Sequence, residues 1–200
     1  MKRFSSLFIV LLLTHIIQIQ AQENWKLVKK KEGIKIYLNE NQDEELVHIK
    51  AVSVANSTLE KCYELMTDID GYKNWMHGAE EINLLKQLEE NTFNYYMLTD
   101  FPWPAKDRDI VIQIGIYRDP EQKLVYTRAK NLPGHIPPKE DYERIQNMSA
   151  SWEFKEIHPN KIQITYEGKI NSGIPLPEWL AKHVYHIAPY NTIRNMKKQI

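Results

Sequence analysis

Residues 99–118, TDFPWPAKDRDIVIQIGIYR, constrain the fold most, because a rigid turn changes there into a strand. Pro102 and Pro104 fix their own φ angles and hold the preceding residues extended, so the first half can be neither a helix nor a central strand. From Arg108 the pattern alternates, and one face collects Ile110, Ile112, Ile114 and Ile116. The segment therefore predicts an antiparallel strand with one buried face and one wetter face.

Arg108 shares the isoleucine face of this predicted strand and stands between Asp107 and Asp109. A buried arginine needs a carboxylate or carbonyl partner, because an unpaired buried charge is very unfavourable. Two interpretations stay open. Arg108 either forms an ion pair that holds the end of the strand, or contacts a ligand.

Residues 1–21 differ in character from the rest of the chain. A charged start, an apolar run from Leu7 to Leu13 and the small Ala21 are typical of a cleavable signal peptide. This pattern predicts a secreted or periplasmic location for a single domain formed by residues 22–200. Polar residues interrupt the apolar run and make it a poor membrane-spanning helix, although an uncleaved anchor remains an alternative.

The charge balance excludes one class of partner. The chain holds 26 basic and 26 acidic residues, and residues 1–21 include only Lys2 and Arg3 among them, so the remainder is net −2. Because that remainder lacks a basic excess, we expect no nucleic-acid partner. The single cysteine, Cys62, excludes an internal disulfide, so packing must stabilise the fold.

Alternating apolar and polar residues predict eight antiparallel strands in a single α+β domain. The strands are expected near residues 34–39, 46–54, 82–88, 92–98, 108–118, 124–130, 146–157 and 162–166.

Helical periodicity appears after the first pair of strands and again at the C-terminus. Ser57 and Glu60 have the spacing of a capping box, which predicts a helix that ends near residue 68, followed by a short second helix within residues 69–78. Pro177 suits the first turn of a long last helix, which Pro189 should kink or interrupt.

Three segments resemble the START lipid-binding domain family. They are PWPAKDRDIVI at 102–112, GIPLPEWLAKHV at 173–184 and MTDIDGYKNWM at 66–76. The resemblance as a whole covers the chain from about residue 25 to residue 200. The resemblance implies the helix-grip fold of the Bet v 1-like superfamily, in which a curved antiparallel sheet grips a long C-terminal helix around an internal hydrophobic cavity. It also implies that the cavity holds a lipid or another apolar molecule.

The resemblance further implies a gate beside the last helix. Residues 130–146 are the candidate, because long connections without regular structure are often functional lids. Within this loop, Leu132 and Ile136 are expected to meet a membrane surface when the ligand is released. Sterol-binding members of the family carry a second arginine six residues after the first one of the motif, where this chain has Ile114, so the identity of the ligand stays open.

The residues expected to contact the ligand come from the predicted helices and the inner face of the sheet, and nearly all are apolar or aromatic. They are Trp75, Met76, Tyr96, Arg108, Ile110, Ile112, Ile114, Tyr126, Met148, Trp152, Ile164, Tyr166, Leu180, Val184 and Ile187. We expect an exported monomer that binds a lipid or other hydrophobic ligand, with transient membrane contact, and without enzymatic activity, cofactor or metal.

Two other functions remain as alternatives. In a cyclase-like enzyme of the same broad fold, His77, His135 and Arg108 would serve acid–base chemistry on a small apolar substrate. In an interaction module, aromatic side chains would fill the core and no ligand would bind. His183 and His186 are three residues apart on the last predicted helix, but the sequence has no metal-binding motif around them.

Overall fold

The computed structural model describes residues 25–39, 47–171 and 177–200. The predicted signal peptide, residues 1–21, and residues 172–176 of the C-terminal motif lie outside this range. The described strands are β1 (Trp25–Lys31), β2 (Ile34–Asn39), β3 (Val47–Ala55), β4 (Ala79–Glu89), β5 (Thr92–Thr99), β6 (Arg108–Asp119), β7 (Leu124–Asn131), β8 (Glu143–Arg144), β9 (Asn147–His158) and β10 (Lys161–Asn171).

Nine of these strands form one antiparallel sheet in the order β1-β2-β3-β10-β9-β7-β6-β5-β4. Neighbours along the chain mostly pair as hairpins, and the long-range pairing of β3 with β10 joins the beginning of the domain to its end. The short β8 pairs parallel with β6. The sheet is curved, and it packs against the C-terminal helix, so the predicted α+β helix-grip fold is confirmed.

Two of the ten strands were not predicted. The first, β1, was missed because WKLVKKK lacks alternation, and its register shifts between Leu27 and Lys29. A two-residue turn, Glu32-Gly33 with φ of 51° and 74°, joins it to β2, and glycine favours such positive φ angles. The second, β8, is only two residues long, too short for any period to be visible.

The first helix, α1, spans Leu59–Thr67 and begins one residue later than predicted. Thr58, not Ser57, is the N-cap, since its Oγ1 accepts a hydrogen bond from the Lys61 N–H at 3.3 Å. Glu60 does not complete a capping box, because it forms a bidentate ion pair with Arg118. A 3₁₀ helix at Asp70–Asn74 follows, within the range predicted for a short second helix.

The C-terminal helix is continuous but changes its hydrogen-bonding pattern near Pro189. It consists of α2 (Glu178–Lys182), a π-helical segment (His183–Ile187) and α3 (Ala188–Met196). Proline has no N–H to donate, so a regular α-helix would lose a hydrogen bond at Pro189. The π-helical turn, in which the Ala188 N–H bonds to the His183 carbonyl, lies immediately before it.

One hydrophobic core joins the sheet to α1, the 3₁₀ helix and α3. Its fully buried members include Ile36 on β2, Ile116 on β6, Met66 on α1 and Ile193 on α3. We call the sheet face that carries Ile36 and Ile116 the inner face, and the opposite one the outer face. Within the described residues, no helix is long and apolar enough to cross a membrane.

Candidate ligand-binding pocket

A pocket of about 230 Å³ lies between the inner face of the sheet and the C-terminal helix. Strands β5, β6, β9 and β10 supply half of the residues that line it, and most of the others come from residues 76–78, the π-helical segment and α3. Most of the lining side chains are aliphatic or aromatic. They include Met76, Tyr95, Met97, Ile110, Ile112, Ile114, Ile145, Met148, Trp152, Tyr166, Ile170, Val184 and Pro189.

The strands give the pocket a closed end and a mouth. Along β5, the lining residues run from the partly exposed Thr99 through Met97 to Tyr95, which is 2% exposed. The lining residues of β10 follow the same order of depth, from Ile170 near the mouth to Tyr166 at the closed end. Because alternate residues share one face of a strand, each strand places residues on the same wall at successive depths.

The closed end is formed by aromatic rings and isoleucines. The Tyr166 ring lies 4.7 Å from that of Trp152, and the Tyr95 ring meets Tyr72 edge-on at 5.6 Å. Burial raises the pKa of Tyr166 to about 12, and it raises the pKa of Tyr95 as well, with a further contribution from the nearby Tyr166. Both phenols therefore stay neutral at physiological pH.

The mouth carries the polar groups of the pocket. His77 and His183 both line it, with ring centroids 5.8 Å apart, and Nδ2 of Asn191 lies 3.3 Å from Nε2 of His77. The backbone N–H of His77 donates a hydrogen bond to Oγ1 of Thr192, which connects the segment around His77 to α3. Partial burial lowers the pKa of His77, and the neighbouring His183 lowers it further.

Eight of the fifteen predicted site residues line the pocket. They are Met76, Ile110, Ile112, Ile114, Met148, Trp152, Tyr166 and Val184. Trp75 and Ile164 are buried in the adjoining core, where the Trp75 ring contacts those of Tyr72 and Trp152. Leu180 and Ile187 belong to the C-terminal helix but are not among the residues around the pocket.

Tyr96 and Tyr126 lie on the outer face, contrary to prediction. Tyr96 pairs with Val111 across β5 and β6, and both residues pack in a small outer cluster with Leu98. Tyr126 stacks on Tyr117, with ring centroids 5.1 Å apart. Strand alternation turns these side chains away from the pocket, because neighbouring residues point to opposite faces.

Arg108 forms an ion pair and does not line the pocket. Its side chain is 3% exposed, lies 2.8 Å from the Glu143 carboxylate and donates a hydrogen bond to the Lys106 carbonyl. Neither flanking aspartate is its partner, since Asp109 binds Arg144 and Asp107 accepts a hydrogen bond from the Phe101 N–H. Of the two interpretations left open, the ion pair is the one observed.

The loop predicted as a gate covers the outer face instead. Leu132, Ile136 and Tyr142 pack on the outer cluster formed by Tyr96, Leu98 and Val111. The expectation of a wetter outer face is therefore wrong near the start of β6. From the same loop, Ile145 is the residue that reaches the pocket.

Several pocket residues were missed by sequence reasoning. Three of them are alternate residues of β5, namely Tyr95, Met97 and Thr99. In the sheet, Tyr95 pairs with Ile112 of β6, so its side chain lies on the same face as the isoleucines. Knowledge of that pairing would have identified all three as pocket residues. His77, considered only for acid–base chemistry, lines the mouth, whereas His135 is exposed. Among the described residues, no three His, Cys, Asp or Glu side chains are grouped as a metal site.

Comparisons with known proteins connect this geometry with one family. The START domain family model matches residues 18–199 of the chain. An uncharacterized protein of Pseudomonas aeruginosa, PA1579, is 27% identical over 175 residues, which cover 88% of this chain and 86% of that protein.

Solved structures show the same fold. A STAR-related lipid transfer protein of Xanthomonas axonopodis has a TM-score of 0.77 at 22% identity, covering 87% of this chain and 97% of that one. Human STARD10 has a TM-score of 0.76 at 20% identity, covering 90% of this chain and 74% of that one. At these identities the likeness concerns the fold alone.

Enzymes also occur among the similar proteins. A mouse acetyl-coenzyme A thioesterase is 22% identical over 159 residues, which cover 78% of this chain but only 28% of that protein. The Zhui aromatase/cyclase of Streptomyces has a TM-score of 0.54 at 11% identity, covering 77% of this chain and 90% of that one. The matched region by itself therefore does not separate binding proteins from enzymes.

Proposed function

Since the chain belongs to the START domain family, we propose that it binds a lipid or another hydrophobic small molecule in the pocket between the sheet and the C-terminal helix. The observation that carries this proposal is the apolar wall, to which β6 contributes Ile110, Ile112 and Ile114, β9 contributes Met148, and the C-terminal helix contributes Val184. Burying apolar ligand surface against such a wall contributes about 25 cal/mol per Å² before the entropic costs of binding.

The proposed role includes export and transfer. The signal-peptide pattern of residues 1–21 supports a secreted or periplasmic location. The binding unit is proposed to be a monomer. A monomer that shields a hydrophobic molecule from water is suited to carry it between membranes.

Trp103 supports transient membrane contact beside the mouth. Its side chain is 90% exposed, between Pro102 and Pro104, and Phe101 two residues earlier lines the pocket. Tryptophan is enriched at membrane–water interfaces, where its ring is buried and its N–H stays hydrated. Membrane contact through this turn would bring the mouth close to the lipid surface, a position that the packed Leu132 and Ile136 do not offer.

A pocket-filling variant tests the binding site. Ala150 lines the pocket on β9, and the adjacent Ser149 is exposed on the opposite face of the same strand. We expect Ala150→Trp to weaken binding of the neutral dye N-phenyl-1-naphthylamine at least tenfold, measured by fluorescence titration, because the indole occupies ligand space. Ser149→Trp is the matched control and should bind as the wild type does. Unchanged binding by a folded Ala150→Trp variant would refute this site.

A cyclase-like enzyme is the second candidate, favoured by the pair of histidines at the mouth. His77 and His183 are partly buried beside an apolar pocket, where a neutral imidazole can accept a proton from a substrate. The two functions differ in their products. A binding protein returns its ligand unchanged, whereas an enzyme releases an altered molecule, which mass spectrometry of the ligand before and after incubation distinguishes.

A further inference from the structure

Two hydroxyl groups at the closed end of the pocket have no hydrogen-bond partner in the part of the chain that the structure describes. Tyr95 and Tyr166 both line the pocket, and within residues 25–39, 47–171 and 177–200 neither phenol oxygen forms a hydrogen bond. Neither oxygen is among the fully enclosed polar atoms that lack a partner in the described residues, so both hydroxyls face the space of the pocket. The contents of the pocket, water or a ligand, can therefore supply their hydrogen bonds.

The rings of both tyrosines are held in place by neighbours. Tyr95 meets Tyr72 edge-on, with an interplanar angle of 87°. Tyr166 packs on Trp152, and its hydroxyl lies over Gly168, where a Cβ atom would clash with it. The two donors are therefore positioned before a ligand arrives, which reduces the entropy lost on binding.

The charges around the pocket indicate what the hydroxyls can bind. The charged residues that line it, Asp100 and Lys169, are exposed and lie near the mouth, where the partly buried His77 and His183 also lie. No charged side chain of the described residues lines the closed end. An ionised group there would lose its hydration without gaining a counter-charge, which is very unfavourable. Both phenols are protonated at physiological pH, and burial raises their pKa further above it, so each can donate a hydrogen bond.

We propose that Tyr95 and Tyr166 donate hydrogen bonds to an uncharged carbonyl or hydroxyl oxygen at the end of the hydrophobic ligand that enters the pocket first. This inference rests on the proposed function, and it adds the ligand class and the orientation of the bound molecule. Any charged end of the ligand stays at the mouth.

Two probes of equal chain length, 2-dodecanone and dodecane, test the inference by displacing N-phenyl-1-naphthylamine. Each probe is compared between wild type and variant, so differences in water solubility cancel. Tyr95→Phe and Tyr166→Phe should each weaken 2-dodecanone binding about three- to tenfold, the range expected for one hydrogen bond. Dodecane affinity should not change.

Tyr117→Phe is the matched control. The Tyr117 hydroxyl lies over Gly115 as that of Tyr166 lies over Gly168, but on the outer face. Its removal should leave the affinity for both probes unchanged.

Infrared spectroscopy of the wild-type complex adds a measurement that does not depend on variants. The carbonyl band of bound, ¹³C-labelled 2-dodecanone should lie at lower wavenumber than in hexane, because hydrogen bonding weakens the C=O bond. If neither the dye nor either probe binds, the proposed function fails and this inference with it. If the dye binds but neither probe displaces it, this inference alone is wrong. If both displace it, but the band stays at its hexane position and the Phe variants bind the ketone as the wild type does, only the hydroxyl proposal is wrong.

Discussion

The guanidinium of Arg144 binds the carboxylate of Asp109 in a bidentate ion pair, with Nε–Oδ1 and Nη2–Oδ2 distances of 2.6 and 2.8 Å. The neighbouring positions form the reverse pair, since Arg108 binds Glu143. The two adjacent β6 residues, Arg108 and Asp109, thus form ion pairs with the two residues of β8. Together with the outer cluster, these pairs fix the loop after β7 on the outer face of the sheet.

Arg144→Met should lower the free energy of unfolding by about 3–5 kcal/mol, measured by urea denaturation, because it leaves the buried Asp109 carboxylate without its partner. Arg118→Met removes a pair in which both side chains are largely exposed, and should have a much smaller effect. If the two variants were equally stable, the Asp109 pair would not hold the loop.

Gly168→Ala should reduce the affinity for N-phenyl-1-naphthylamine by narrowing the pocket. The new Cβ would clash with the Tyr166 hydroxyl, and the ring can relieve that clash only by moving towards the ligand space. Gly115→Ala creates the same clash with Tyr117 on the outer face, where the ring is free to move into solvent. Dye affinity that falls equally in both variants would contradict this account of Gly168.

Stability should decrease as the pH falls from 7.5 to 5.5. Burial and the neighbouring His183 lower the pKa of His77 in the folded protein. Below about pH 6.5 the unfolded chain therefore binds more protons at this residue than the folded chain does, and protonation stabilises the unfolded state relative to the folded one. His186, whose pKa is lowered by burial and by Lys182, acts in the same direction. Urea denaturation at the two pH values should show a smaller loss for His77→Gln than for wild type. Equal losses would mean that His77 does not contribute.

Trp103→Ser should weaken binding to phospholipid vesicles, measured by co-sedimentation, while leaving dye binding unchanged. The physical reason is the loss of the exposed indole that is expected to bury its ring at the interface. Tyr117→Ser removes an exposed aromatic ring from the outer face and serves as the control. A Trp103→Ser variant that binds vesicles as well as the wild type would place the membrane contact elsewhere.

The positions of eight strands along the chain and the family resemblance could be predicted because they depend on local signals. The isoleucine alternation from Ile110 to Ile116 identified the inner face of β6, and the three isoleucines predicted to contact the ligand, Ile110, Ile112 and Ile114, line the pocket. The motif resemblance to the START family is likewise confirmed by the match over residues 18–199. These signals lie within single segments and need no knowledge of distant partners.

The errors came from relationships between segments. The pair Tyr95-Tyr96 cannot be oriented from its own strand, because both residues are aromatic and only the pairing of Tyr95 with Ile112 decides which one faces the pocket. The outer cluster did have a signal, since β5 and β6 carry Leu98 and Val111 on the face expected to be wet. Strands with apolar residues on both faces are typical of sheets covered on both sides.

The most direct test of hydrophobic ligand binding is native mass spectrometry, with lipid extraction, of mature protein purified from the export compartment of its own organism. We expect one co-purifying apolar molecule per chain, with an uncharged oxygen, that is lost from the Ala150→Trp variant. A protein that purifies empty, and that rejects a panel of lipids and neutral apolar compounds in vitro, would contradict the proposed function.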